Sequence, residues 1–273
     1  MSKRTTVLLR YEGQEAENGE LNLYDSADSL KGLALTLGRV VHSFVNGNRL
    51  QKKGAHPHNA DVFHKGAKKG CFEQIVEIEF QREVIDLMGE RKVVWNFWDY
   101  LSYAVSTAIG EEYQPTTDYV NELANSQYSP FEEIAETIEE PLKHLHRPIF
   151  KKSVSTASFV RGEQEVIVFD ENSALYVDTT SVVDQIEHFV GQVTRYNLNT
   201  GHGRAFVDQL GKIVPFKIPE FDVNQPAHSA ATASMYDKAN RLGGERVLVA
   251  QRVINAPGTT KRLLVREIRK LGD

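Results

Sequence analysis

The sequence predicts an α+β protein, with an N-terminal mixed α+β domain over residues 1–184 and a small five-stranded β-barrel over residues 185–273. Three observations carry this. The length of 273 residues is enough for two domains, each with its own core. Helix-period and strand-like segments are interspersed up to Asp184, whereas from Phe189 the order is strand, strand, strand, helix, strand, strand. The charge also changes sign there: residues 185–273 carry 13 Lys and Arg against 8 Asp and Glu, net +5, and the rest carries 19 against 29, net −10.

Composition sets the class. A chain 41% hydrophobic and 25% charged has ordinary globular balance, which excludes wholesale disorder. The first residues, MSKRTTVLLRYEG, turn polar too soon for a signal-peptide core, and the apolar runs are too short to span a bilayer. The one cysteine, Cys71, excludes an internal disulfide framework and a cysteine-based zinc cluster and fits a reducing cytoplasm. A cytoplasmic protein with no membrane partner is the expectation.

The N-terminal elements follow from periodicity. TTVLLRYEG reads as a strand, and LNLY, after the polar turn EAENGE, as its antiparallel partner. Leu30, Leu33, Ala34, Leu37, Val41 and Phe44 recur at helical spacing and predict a helix over 26–45, capped by Asp25 or Ser26. The Gly-, Asn-, Lys- and His-rich stretch that follows reads as a long loop or as short edge strands with loops. FEQIVEIEF predicts a strand through Phe72, Ile75 or Val76, Ile78 and Phe80. VVWNFWDYLSYAVSTAIG predicts the main core helix of this domain, with Phe97, Trp98, Leu101, Val105, Ala108 and Ile109 on one face and a stop at Gly110.

Val93 to Leu142 contains no Lys or Arg, and Ser129-Pro130-Phe131-Glu132 within it has the pattern of a capping box with proline at the first helical position. An acidic surface helix is the plain reading; a basic partner is the other. EVIVFD and ALYVDTT predict a second hairpin, over 164–178, turning at Glu171-Asn172-Ser173.

In the C-terminal part, VGQVTRY, RAFVD and KIVPFKI predict three strands, HSAATASMYDKANRLGG a helix ended by Gly243-Gly244, and ERVLVAQRVI and KRLLVREI two more strands. That order is expected of an OB-like barrel, in which strands two and three bear the oligonucleotide face. Gly191, Val193, Tyr196, Asn197, Gly201-His202-Gly203, Phe206, Gly211 and Ile213-Val214-Pro215-Phe216 together resemble the first three strands of cold-shock domains. The resemblance implies that rings on the barrel stack on single-strand bases and that cations meet phosphates. It makes Tyr196, His202, Phe206 and Phe216 candidate platforms and Arg195, Arg204 and Lys217 candidate phosphate contacts. Arg204 stands where the family has an aromatic, Pro215 interrupts the third strand, and a helix replaces the family's loop, so the segment is OB-like rather than a cold-shock protein. The competing reading is that Gly201-x-Gly203 serves a tight hairpin and that Tyr196, Phe206 and Phe216 point inward.

Other constellations are thinner. His56, His58, Asp61 and His64 have metal-ligand residue types without a fixed ligand spacing, so a polar loop competes with a metal site. Glu77 and Glu79 share a strand face without the lysine a nuclease would want. Cys71, beside Lys68 and Lys69, reads as packing before nucleophile. No phosphate loop, nucleophile elbow or zinc-protease motif occurs, and no cofactor is implied.

Arg10–Gly13, reading R-Y-E-G, and Asp25–Gly32, reading D-S-A-x-S-L-x-G, are similar to the start of uncharacterised bacterial two-domain proteins. That resemblance implies no activity; a place in an antiviral defence complex is the loosest expectation attached to it. The leading expectation is a non-enzymatic binding or accessory protein whose barrel contacts single-stranded nucleic acid or a protein partner, with an N-terminal domain for partner contact or self-association. A metal-dependent hydrolase or nuclease using the His56–His64 loop is one rival. A sensor or structural subunit of a larger assembly, docked through its acidic stretch, is the other.

Overall fold

Val7, Leu9 and Tyr11 alternate inward along the first strand, β1 (Lys3–Glu12), and this period-two burial is what the opening sequence dictates. In the computed structural model, which describes residues 2–50, 57–68, 72–178 and 180–272, β1 has no LNLY partner. Leu23 instead begins helix α1 (Leu23–Val45), because the Asn22 side chain accepts the backbone N–H groups of Tyr24 and Asp25 and starts the helix before Asp25. β1 pairs antiparallel with β3 (Glu73–Phe80) on one side, and β2 (Ala60–Lys68) lies at the edge beyond β3.

Helix α2 (Arg82–Met88) leads into α3 (Val93–Ile109), which buries the six-residue face named above and ends on the left-handed Gly110. Only one of its tryptophans is core. Trp98 is buried, whereas Trp95 is exposed with the Arg161 guanidinium 3.9 Å above its ring. The acidic stretch forms α4 (Asp118–Asn125) and α5 (Phe131–Leu145), followed by the short α6 (Arg147–Phe150).

A hairpin follows, but not where ALYVDTT would put its second strand. It joins β4 (Thr156–Arg161) to β5 (Gln164–Phe169), and ALYVDTT contributes to helix α7 (Glu171–Asp178). Asp170 is the cause: its carboxylate accepts the Ser173 N–H while Ser173 Oγ accepts the Asp170 N–H. The five strands form an antiparallel sheet in the order β2-β3-β1-β4-β5.

The second sheet begins with the short β6 (Ser181–Val182) and continues through β7 (Glu187–Tyr196), β8 (His202–Val207), β9 (Lys212–Lys217), helix α8 (Gln225–Ala239), β10 (Glu245–Ile254) and β11 (Thr260–Lys270). The order runs β11-β9-β8-β7-β10, and β10 pairs again with β11, so five strands close into a mixed OB-like barrel. One pair is parallel: β9 meets β11 only at Phe216–Leu263 and Lys217–Leu264. α8 presents Ala227, Ala231 and Ser234 to the barrel, and Ser234 Oγ ties it down, donating to the Gly244 carbonyl and accepting the Val193 N–H. Asn240, not Gly243-Gly244, caps its end. The chain divides into two compact units: Met1–Asn121 with Ile134–Val177, and Glu122–Glu133 with Asp178–Asp273.

Candidate binding face of the C-terminal barrel

Strand alternation sends Val193, Ala205, Val207, Val214 and Phe216 into the barrel and leaves Gln192, Arg204, Phe206, Ile213, Pro215 and Lys217 on its outer side. A bulge between Val193 and Arg195 inserts Thr194 as an extra residue. It re-aims the strand so that Arg195 sits opposite Arg204, while Phe206 stands between Gln192 and Ile213.

The turn that joins β7 to β8 explains its own composition. Asn197 N–H donates to the His202 carbonyl, the Asn197 side chain accepts the Asn199 N–H, and Gly201 takes φ +72°. Gly203 is a glycine for a different reason. A Cβ there would lie 2.5 Å from the Arg195 carbonyl oxygen and from the Phe216 ring.

Of the four rings expected on the face, one is there. Phe206 is 41% exposed. Tyr196 and Phe216, each 1% exposed, lie in the core, stacked with centroids 5.9 Å apart and planes 8° from parallel. The Tyr196 hydroxyl meets His228 Nδ1 at 2.9 Å, and burial pushes its pKa up to about 12. His202 is also buried, its Nδ1 3.1 Å from the Thr200 carbonyl. Tyr196 and Phe216 fall on inward turns of their strands, Tyr196 because the β7 bulge gives the outward turn to Arg195; His202 shares the side of β8 that carries Arg204 and Phe206 but is covered there.

Both arginines converge on one carboxylate. Glu132, in the first turn of α5 and 4% exposed at its side chain, accepts Arg204 Nε at 2.7 Å and Arg195 Nη2 on the same oxygen, Oε1. The segment before it is pinned as well, since Asn197 Nδ2 donates to the Ser129 carbonyl at 3.1 Å and Ser129 Oγ lies 3.5 Å from Glu132 Oε2. Burial works against the Glu132 charge, but Arg195 and Arg204 outweigh it and hold the carboxyl below its ordinary range. Sequence reasoning took Glu132 for a capping residue. Its partners lie 63 and 72 residues away, and no local pattern signals them.

The other candidates are dispersed. Glu77 is ion-paired with Arg4 and Lys65, and Glu79 with Arg4, as a cross-strand charge ladder. His64 Nε2 meets the Gln74 amide oxygen at 2.8 Å, Asp61 accepts the Gln81 amide, and the His58 ring lies 6.5 Å from His42. Among the described residues no group of three or more His, Cys, Asp or Glu is placed to hold a metal ion. His56 and Cys71 lie outside the described residues. None of the described helices is long and apolar enough to cross a membrane.

Fold and site together define an α+β protein carrying a small five-stranded mixed β-barrel. The chain belongs to the family of a domain of unknown function (DUF7946), whose model matches residues 7–178 and so includes both N-terminal motifs. No curated protein and no solved structure matches the chain.

Proposed function

We propose that this chain is a non-enzymatic binding protein that contacts single-stranded nucleic acid through the outer face of β7, β8 and β9. The observation that carries the reading is Phe206, exposed on β8 with Arg204 two residues away on the same side and Lys217 on the neighbouring strand. Strands two and three of OB-like barrels bear the oligonucleotide face, and a ring beside cations suits a base beside its phosphates.

One ring in place of four makes the contact weak. A single base stack contributes about 1–3 kcal/mol. Fluorescence anisotropy with labelled single-stranded DNA and RNA at low salt tests this. The expected outcome is salt-sensitive binding that Phe206→Ala weakens by about tenfold or more. Binding indifferent to both Phe206→Ala and Arg204→Glu overturns it.

A second reading has its own observation. Ile213, 51% exposed directly across from Phe206, forms an apolar pair that suits a protein side chain better than a base. A photo-crosslinker at position 213 that yields a discrete protein adduct in native cells, with no oligonucleotide binding in vitro, favours this reading. Antiviral defence gains no support from the fold or the family match.

A further inference from the structure

We infer that Arg195 and Arg204 form an anion site on the barrel, that Glu132 is its resident occupant, and that a nucleic-acid phosphate competes with this carboxylate for the site. The inference rests on the nucleic-acid reading above and adds the element that limits it. The β7 bulge brings two guanidinium groups from adjacent strands to a single oxygen, Glu132 Oε1. Guanidinium groups grip carboxylate and phosphate oxygens with the same fork geometry, so a site built for one receives the other.

Glu132 does not saturate the pair. Arg195 Nε is buried with no hydrogen-bond partner. A phosphodiester offers the same single charge and, not being anchored to a helix as Glu132 is, can orient toward more of these donors. The site is reachable, because the Arg204 side chain is 27% exposed. It also adjoins the ring: Arg204 and Phe206 are two residues apart on one side of β8, about 7 Å along the strand. A nucleotide with its base on Phe206 thus brings its phosphate toward the position Glu132 holds. The clasp from Asn197 to the Ser129 carbonyl keeps Glu132 there and sets how hard it is to displace.

The test compares binding of fluorescent oligo-dT and oligo-rU to the full chain and its Glu132→Gln variant at low salt, with circular-dichroism melts to establish folding. Gln keeps the shape and removes the charge. The expected result is about tenfold tighter binding by Glu132→Gln, lost again in Glu132→Gln/Arg204→Glu. Asn197→Ala, which loosens the clasp with the carboxylate intact, should shift affinity in the same direction by less. Equal binding by wild type and Glu132→Gln overturns the competition while leaving the nucleic-acid reading standing. Absence of binding by both removes that reading, and the competition with it. A gain that survives Arg204→Glu also overturns it. If Glu132→Gln does not fold, a folded Asn197→Ala variant with wild-type affinity decides against the inference.

Discussion

His146 shows how much one buried side chain can hold. It is fully buried, its Nδ1 donating to the Leu142 carbonyl at 2.7 Å and its Nε2 2.9 Å from Ser173 Oγ. Burial lowers its pKa to about 4. Unfolded histidine titrates near 6.5, so the unfolded chain binds the extra proton between those values, and stability present above pH 6.5 is lost as pH falls toward 4. Full burial makes the loss about 3 kcal/mol. Urea unfolding at pH 7 and pH 4, compared with His146→Gln, measures it; an equal pH dependence in the two proteins contradicts the assignment. No sequence signal marked His146, and Glu132 was marked only as a capping residue, because each owes its state to partners brought by the fold. Phe206, Arg195 and Arg204 were legible as candidates, but that Arg195 rather than Tyr196 takes the outward turn of β7 was decided by a one-residue bulge that alternation alone does not reveal.

Elements were legible where a long period met clear punctuation. Every strand expected in the barrel is present, since each is an alternating run bounded by turn residues, and α1 and α3 follow their helical stripes. The misreadings were short. LNLY and ALYVDTT have strand-like residues, yet both enter helices because capping by Asn22 and by the Asp170–Ser173 pair outweighs weak β preference over a few positions. The β7–β8 hairpin makes a prediction at this scale. Gly203→Ala should cost about 1–3 kcal/mol, because the new methyl group meets the Arg195 backbone oxygen and neither strand can withdraw without losing its ladder. A shift of the urea midpoint measures this, and an unchanged midpoint contradicts the packing argument.

For the whole molecule, charge sets the scale of any nucleic-acid contact. The chain carries a net −5, and the cations of the face are few, with Glu132 already neutralising part of their charge. Binding to a single strand should therefore release few counterions, giving a slope of log K against log salt of about −2 or shallower in wild type, since each neutralised phosphate contributes about −0.7. Titrations across salt concentrations read it directly, and a much steeper slope would mean that cations beyond the barrel face take part. The family match stops at residue 178, short of the barrel strands.

The closure of that barrel also sets where it opens first. Antiparallel ladders run the length of β10 and β11, but β9 and β11 share only the short parallel seam at Phe216–Leu263 and Lys217–Leu264. Native-state amide exchange should thus begin along this seam and reach the β7 and β10 amides later. Each such opening would bring Phe216, hidden from solvent in the closed barrel, briefly to the surface.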